Sequence, residues 1–309
     1  VSEQVKIAVY GTGGVGGYFG GKLAQAGADV SLIARGPHLE RLRRDGLKVR
    51  GALGDFSLRL AATDDPAEIG PCDYVLFCVK SYDTDDAAKG LAPLVGPETA
   101  VVSLQNGMDN EERIAAHVGW EHVMAGVSYI YAHISEPGII QARGLGKVVF
   151  GELDAPTSDR GTRLLELFLK SGTDAELSGN IREAMWRKYT FILALSGMTA
   201  AARVPIGVIR STPETWSMFR AIIEEAIALA RAEGVELPED TLERHLQFAH
   251  KLDANGYSSL HHDLVQGKRL ELDALHGHAV RLGDRHGVPV PMCEAVYAVL
   301  RPWAAGSTT

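Results

Sequence analysis

Residues 11–16 read Gly-Thr-Gly-Gly-Val-Gly, a GxGxxG turn. It follows the apolar run Val5-Lys6-Ile7-Ala8-Val9-Tyr10 and opens Val15–Ala26, a stretch of helical character. In that setting each glycine has its own use. Gly11 permits a tight turn, Gly13 lets a pyrophosphate reach the backbone, and Gly16 lets the helix pack on the strand. Thr12, Gly14 and Val15 complete the loop, whose unpaired amides and positive dipole end suit a phosphate. A GxGxxG alone is equally a ligand-free turn, but a strand before it and a helix after it select a dinucleotide. The next strand-like run, Val30–Ala34, ends at Arg35, where NAD-binding folds place an acid for the ribose 2′-hydroxyl. A guanidinium there pairs with a 2′-phosphate, so NADPH is the expected cofactor.

Two more strand-like runs end in polar residues: Tyr74–Val79 at Lys80, and Ala100–Leu104 at Gln105-Asn106-Gly107. Ligands of open parallel sheets bind outside the carboxyl ends of the strands, which directs Lys80 and Asn106 toward the nicotinamide end. Asn-Gly is also a common turn pair, so Asn106 alone reads either way. Further on, Lys188 sits in the apolar segment Met185-Trp186-Arg187-Lys188-Tyr189-Thr190-Phe191-Ile192. On a helix, Ile181, Met185, Lys188, Ile192 and Ser196 share one face. A desolvated ammonium there has a lowered pKa and can give up a proton. A lysine snorkelling to water from the edge of the stripe shows the same pattern.

The elements that must position these groups change character near residue 180. Residues 1–179 alternate strand runs with helical stretches at Val15–Ala26, Pro37–Arg44, Asp83–Ala92 and Asp109–His117. That alternation marks βαβ units and a parallel sheet. Leu47–Leu60 reads as a hairpin, and Tyr129–Phe150 as further strands. From 180 the period is helical, over Ile181–Ala202, Pro213–Glu233, Pro238–Leu252, Ser258–Leu264, Leu272–His286 and Pro291–Leu300. The expected fold class is α/β: a Rossmann-type dinucleotide-binding domain over 1–179, then an all-α substrate and catalytic domain over 180–309.

Composition narrows the function classes. The 309 residues carry 31 Lys and Arg against 39 Asp and Glu, a net charge of −8, which argues against a nonspecific nucleic-acid binder. No apolar run is long enough to span a bilayer. Val1-Ser2-Glu3-Gln4 has no basic region ahead of the first strand, so no secretory leader is expected. Cys72, Cys78 and Cys293 are too few and scattered for a disulfide framework, which fits a reducing, cytoplasmic setting. His261-His262 and His276/His278 lack the i, i+4 spacing of a zinc helix, so no metal is expected. The acidic run Asp83-Thr84-Asp85-Asp86 reads as a helix N-terminus, where carboxylates suit the dipole.

Together these pieces resemble the ketopantoate reductase (2-dehydropantoate 2-reductase, ApbA/PanE) family. The matching segments are Gly11–Gly16, Ala34-Arg35, Val79-Lys80, Gln105-Asn106-Gly107, Asn180–Lys188, Ser258-Ser259 and Glu271-Leu272-Asp273, in family order over nearly the whole chain. The resemblance implies a Rossmann domain followed by a helical domain like that of 6-phosphogluconate dehydrogenases. It also implies NADPH-dependent reduction of a 2-oxo acid to a 2-hydroxy acid, with ketopantoate to pantoate, in pantothenate biosynthesis, as the leading expectation. By the same resemblance Gly11, Gly13, Gly16, Arg35, Lys80, Asn106, a backbone contact at Ala132 and Glu271 face the cofactor. Lys188 is the catalytic proton donor, Glu271 its acid partner, and Ser259 a substrate contact beside Asn106 and Lys188.

Two positions depart from the family pattern, which has Asn four and eight residues after the lysine. This chain has Ile192 and Ser196, both expected to line the substrate pocket and to make it more apolar. An NADPH reductase acting on a different 2-oxo acid or carbonyl compound therefore stands beside the first expectation. A non-catalytic NADP-binding regulator would have no use for both Lys188 and Glu271. The implied partner is a small-molecule substrate; neither nucleic acid nor a membrane is called for, and a homodimer is compatible.

Overall fold

Strands buried on both faces organise the first half of the chain. In the computed structural model, which describes residues 4–307, β1 (Lys6–Tyr10) buries Ile7, Ala8 and Val9 completely. Alternate residues enter different cores: Ile7 and Val9 pack with Phe19, Leu23, Leu76, Phe150 and Phe168, whereas Ala8 packs with Val75, Phe77, Leu91, Leu94 and Ile114. This period of two, apolar on both sides, characterises a parallel sheet covered by helices.

The elements of this half are α1 (Gly14–Gln25), β2 (Asp29–Ile33), α2 (Gly36–Asp45), β3 (Leu47–Arg50), β4 (Phe56–Leu58), β5 (Ala61–Thr63), β6 (Cys72–Phe77), α3 (Thr84–Lys89), β7 (Val95–Ser103), α4 (Asn110–Val118), β8 (Val123–Glu136), β9 (Ile139–Gly151), α5 (Asp159–Lys170) and β10 (Asp174–Leu177). Among the described residues the strands form one ten-stranded sheet, ordered β4-β3-β9-β8-β7-β6-β1-β2-β5, with β10 also on β9. β1 lies between β2 and β6 in parallel register, Tyr10 opposite Ile33 on one side and Phe77 on the other. Only β3/β4 and β8/β9 are antiparallel.

The Rossmann-type half expected from the sequence is present, and Leu47–Leu60 is the hairpin β3/β4. Tyr129–Phe150 belongs to the long pair β8/β9, which begins earlier, at Val123. The helix expected over Asp83–Ala92 is α-helical only over Thr84–Lys89, with tighter 3₁₀ turns on either side and Pro93 in the second. The sequence pattern assigns neither α5 nor β10, although the Ser158 hydroxyl accepts from the Gly161 amide in an ordinary N-cap.

The second half is helical: α6 (Ile181–Ala202), α7 (Ile206–Ser211), α8 (Pro213–Ala232), α9 (Thr241–Lys251), α10 (Ser259–Val265), α11 (His276–His286) and α12 (Pro291–Leu300). In α8 the buried residues Phe219, Ile222, Ile223, Ala226, Leu229 and Ala230 recur at helical spacing. They join Tyr189, Leu193, Leu272 and Val296 in one core. The helix expected from Leu272 starts at His276; residues 272–275 form a turn instead. Among the described residues no helix is long and apolar enough to cross a membrane. The expectation of no leader concerns residues 1–4, of which 1–3 lie outside the described residues.

The chain divides into two compact units. One holds the sheet, to Gln105 and again over Asp109–Ile181; the other holds the helices from Arg182 onward together with Asn106–Met108. Nothing in the sequence pattern groups Asn106–Met108 with the helices.

Glycine is required at specific points of the turn after β1. Gly11 has φ +95°, and a Cβ there would lie 2.7 Å from the Val79 nitrogen. A Cβ on Gly14 would run into the carbonyl of Ala132 on β8, while one on Gly13 would meet nothing within 4 Å. Backbone cannot step aside as a side-chain end can. Gly14→Ala should therefore cost about 1–3 kcal/mol, the range for overpacking. Gly13→Ala should unfold within about 0.5 kcal/mol of wild type, as surface substitutions do. Urea unfolding of the two variants checks this, and equal losses would contradict it.

Candidate active site

The sheet unit carries the glycine loop. Gly13, the N-cap residue of α1, offers no side chain to the first-turn amides, and no acid stands in that turn. The Thr12 hydroxyl is turned inward to the Ile33 carbonyl at 3.0 Å, so it does not cap the helix either. The amides at this end are thus left for an anion, beside the open space at Gly13. These residues fit the pyrophosphate of a dinucleotide. Val15 is half-buried against the core, and Ala132 lies against Gly14 from β8.

Arg35 occupies the N-cap position of α2, two residues beyond the end of β2, with its side chain 85% exposed. Its Nη2 donates to Asp83 Oδ2 at 2.6 Å. The acidic run does lie at a helix N-terminus, and its first member is Asp83, the N-cap residue of α3. It precedes α3 without a side-chain cap bond, and its carboxylate pairs with Arg35. Asp85 and Asp86 do stand in the first turn, paired with Arg113 and Lys89.

Lys80 follows β6 and starts a 3₁₀ turn in which its carbonyl accepts from the Asp83 amide at 2.8 Å. A buried amide overlooked in the sequence, Gln105, fixes this strand end. Its Nε2 donates to the Val79 carbonyl at 2.9 Å and to Thr84 Oγ1 at 2.8 Å, and Thr84 donates to Asn110 Oδ1 at 3.1 Å. The ends of β6 and β7 are therefore tied side chain to backbone. Only the adjacency of Gln105 to Asn106 hinted at this.

The helical unit brings together Asn106, Lys188 and Glu271. Lys188 Nζ donates to Asn106 Oδ1 at 2.8 Å. Burial pulls the ammonium's pKa down to about 8, opposed by the nearby negative charge of Glu271. The residue as a whole is half-buried, and the desolvation acts at its ammonium end. Glu271 is itself buried, at 7% exposure, just ahead of the turn that leads into α11.

Two contacts clamp that turn to α6. The Tyr189 hydroxyl donates to the Leu275 carbonyl at 2.7 Å, and His276 Nε2 lies 3.0 Å from the Leu193 carbonyl. A carbonyl only accepts, so Nε2 carries the proton. Burial lowers the His276 pKa to about 4, which keeps the ring neutral. Gly197 makes the room: a Cβ there would sit 2.5 Å from His276 Nε2. Tyr189 and Gly197 do not stand out in the sequence, and His276 is noticed there only as a dismissed metal ligand.

Ile192 is half-buried and packs against the helical core. Ser196 is buried, and its hydroxyl points to the Leu193 carbonyl at 3.5 Å. Ser259 is exposed at the start of α10, whereas its neighbour Ser258 is the buried N-cap, bonded to Thr199 Oγ1 at 2.7 Å and to the His261 amide. Among the described residues no group of three or more His, Cys, Asp or Glu is placed to hold a metal.

An ammonium with a near-neutral pKa, bonded to an amide and under the influence of a carboxylate's charge, is equipped to give a proton to an oxygen placed beside it. Comparison with known proteins identifies the family. Residues 7–155 match the ketopantoate reductase PanE/ApbA model and residues 180–304 its C-terminal counterpart. A 2-dehydropantoate 2-reductase of Halobacterium salinarum is 30% identical over 299 residues, 96% of this chain and 98% of that protein. The chain belongs to the ketopantoate reductase family. An uncharacterized oxidoreductase of Bacillus subtilis, YkpB, is also 30% identical, over 97% of this chain and 99% of its own length. The crystal structure of a PanE/ApbA family ketopantoate reductase from Ralstonia eutropha superposes with a TM-score of 0.90 at 35% identity, covering 97% of this chain and 98% of that one. As a family member the chain is an oxidoreductase acting on CH–OH groups, with a nicotinamide dinucleotide and a 2-oxo acid as reactants.

The depressed lysine has a consequence for stability. The folded pKa is about 8 and the ordinary value 10.5. Between them the unfolded chain holds a proton that the folded chain has lost, so stability rises with pH across that window. Lys188→Met removes this contribution. Urea titrations from pH 7 to 11 should show wild type gaining stability relative to Lys188→Met, with a slope difference approaching about one proton. Parallel curves would contradict the shift.

Proposed function

We propose that this chain reduces a 2-oxo acid with NADPH, and that 2-dehydropantoate, the substrate in the names of its relatives, is the first candidate. The observation that carries this reading is the Lys188–Asn106 hydrogen bond on a lysine whose pKa is about 8. When bound, the nicotinamide supplies a hydride to the carbonyl carbon. Lys188 donates its proton to the carbonyl oxygen as negative charge grows there, and it stabilises that charge on the way. Asn106 holds the ammonium in place, Glu271 keeps it protonated in a desolvated setting, and Ser259 contacts the substrate. The first-turn amides of α1 hold the pyrophosphate, with Gly13 giving it room. Arg35 pairs with the 2′-phosphate, Lys80 and Asn106 serve the nicotinamide end, and the Ala132 backbone closes the loop side.

A second reading, reduction of a 2-oxo acid with an apolar side chain, is favoured by one observation. Where the family pattern has two amides, Ile192 has no polar group and the Ser196 hydroxyl is turned to its own helix. A site without those amides loses hydrogen bonds to a substrate hydroxyl, and an apolar pocket discriminates only weakly. A regulatory NADP-binding protein without turnover would not need a depressed lysine.

The test is kcat/KM with NADPH for ketopantoate and for apolar 2-oxo acids, in wild type and in Ile192→Asn/Ser196→Asn. The double variant should favour ketopantoate over the apolar compound by about tenfold or more relative to wild type, the effect of restoring one or two hydrogen bonds. A wild type that already prefers ketopantoate strongly leaves only the first reading. No turnover of any 2-oxo acid would refute both.

A further inference from the structure

Asp83 stands where its charge bears on cofactor choice. Arg35 is 85% exposed, and among the described residues its one ion pair is with Asp83, through Nη2 alone. Asp83 is the less exposed partner, at 27%. Its backbone is anchored, the amide bonded to the Lys80 carbonyl at 2.8 Å. Its carboxylate caps no helix. The other acids of the run are committed elsewhere: Asp85 takes both Nε and Nη2 of Arg113, at 2.9 and 2.8 Å, and Asp86 takes Lys89. Asp83 alone is turned to the end of β2.

We propose that Asp83 is a specificity-determining residue: a fixed counter-charge on Arg35 that weakens the hold on a phosphorylated ribose and so moderates the preference for NADPH over NADH. This rests on the reading of Arg35 as the 2′-phosphate contact. A phosphate bringing close to two negative charges must share the guanidinium with a carboxylate that cannot swing far, and the two anions repel. A ribose 2′-hydroxyl brings no charge, so NADH leaves the Arg35–Asp83 pair intact. Against this, Asp83 also steadies the arginine. An exposed pair with a single contact steadies little, because solvent screens it and long side chains lose entropy in holding it. Charge repulsion is therefore the larger effect, and removing the carboxylate tightens NADPH.

The experiment measures the dissociation constants of NADPH and NADH, by calorimetry without substrate, for wild type, Asp83→Asn, Asp83→Ser and Arg35→Ala. Both Asp83 variants keep a short polar side chain and drop the charge. Each should bind NADPH about three- to tenfold more tightly, with NADH changed by less than about twofold, and the gain should shrink at high salt. Arg35→Ala should weaken NADPH by about tenfold or more and spare NADH. If Arg35→Ala behaves so while the Asp83 variants bind NADPH no better than wild type, the counter-charge inference is overturned and the arginine reading stands. If Arg35→Ala leaves NADPH binding intact, the arginine reading fails, and this inference with it.

Discussion

A lysine ammonium taken largely out of water, with an amide oxygen 2.8 Å away to replace part of its hydration, is the constraint on which this chain's chemistry depends. Burial alone drives such a group toward neutrality, and a carboxylate alone holds it charged. Lys188 has both influences, and burial is the larger. The resulting pKa of about 8 lies near the pH at which enzymes commonly work, where a proton donor, the role proposed for Lys188, is most effective. Much of the nearby helical packing serves the balance. Tyr189 and His276 fasten the turn beyond Glu271 to α6, and Gly197 admits the histidine ring.

The sheet unit is suited to a different task, the recognition of a large anion by backbone. An uncapped helix end, a hydroxyl turned inward and an open Cβ position at Gly13 leave amides available. Gly14 answers to packing rather than to the ligand, since Ala132 occupies the place of its Cβ. A single GxGxxG motif thus mixes a position left open, Gly13, with one that close approach requires, Gly14. Beside it, Arg35 and Asp83 set a cation and an anion at the end of β2.

What is legible in the sequence is local. The glycine turn, the run into Arg35 and the buried strands are each written in a few consecutive residues, and the period of two or 3.6 announces the element. Lys188 is ambiguous there because a helical stripe does not say whether an ammonium reaches water; Asn106, 82 positions away, decides that. The contacts of Gln105, Tyr189 and His276 escape notice for the same reason, since their partners are carbonyls and a hydroxyl distant in sequence. Asp83 reads as a helix-terminal acid, and it is one, but its pairing with Arg35, 48 residues earlier, is invisible in the local pattern. The expected start of α11 is misplaced because Leu272 and Leu275 are both core residues and continue the helical period through a turn. The family resemblance supplies the roles that spacing cannot.

The central proposal is that one half-buried lysine of lowered pKa delivers the proton. The measurement that tests it most directly is the pH dependence of single-turnover reduction of a 2-oxo acid, with cofactor and substrate saturating. The protonated form is the donor, so the rate should be level below pH 7 and fall with an apparent pKa of about 8, and Lys188→Ala should be slower by about 10²–10⁴ without that fall. A rate that holds until the ordinary lysine value of 10.5, or the same fall in Lys188→Ala, would contradict the account.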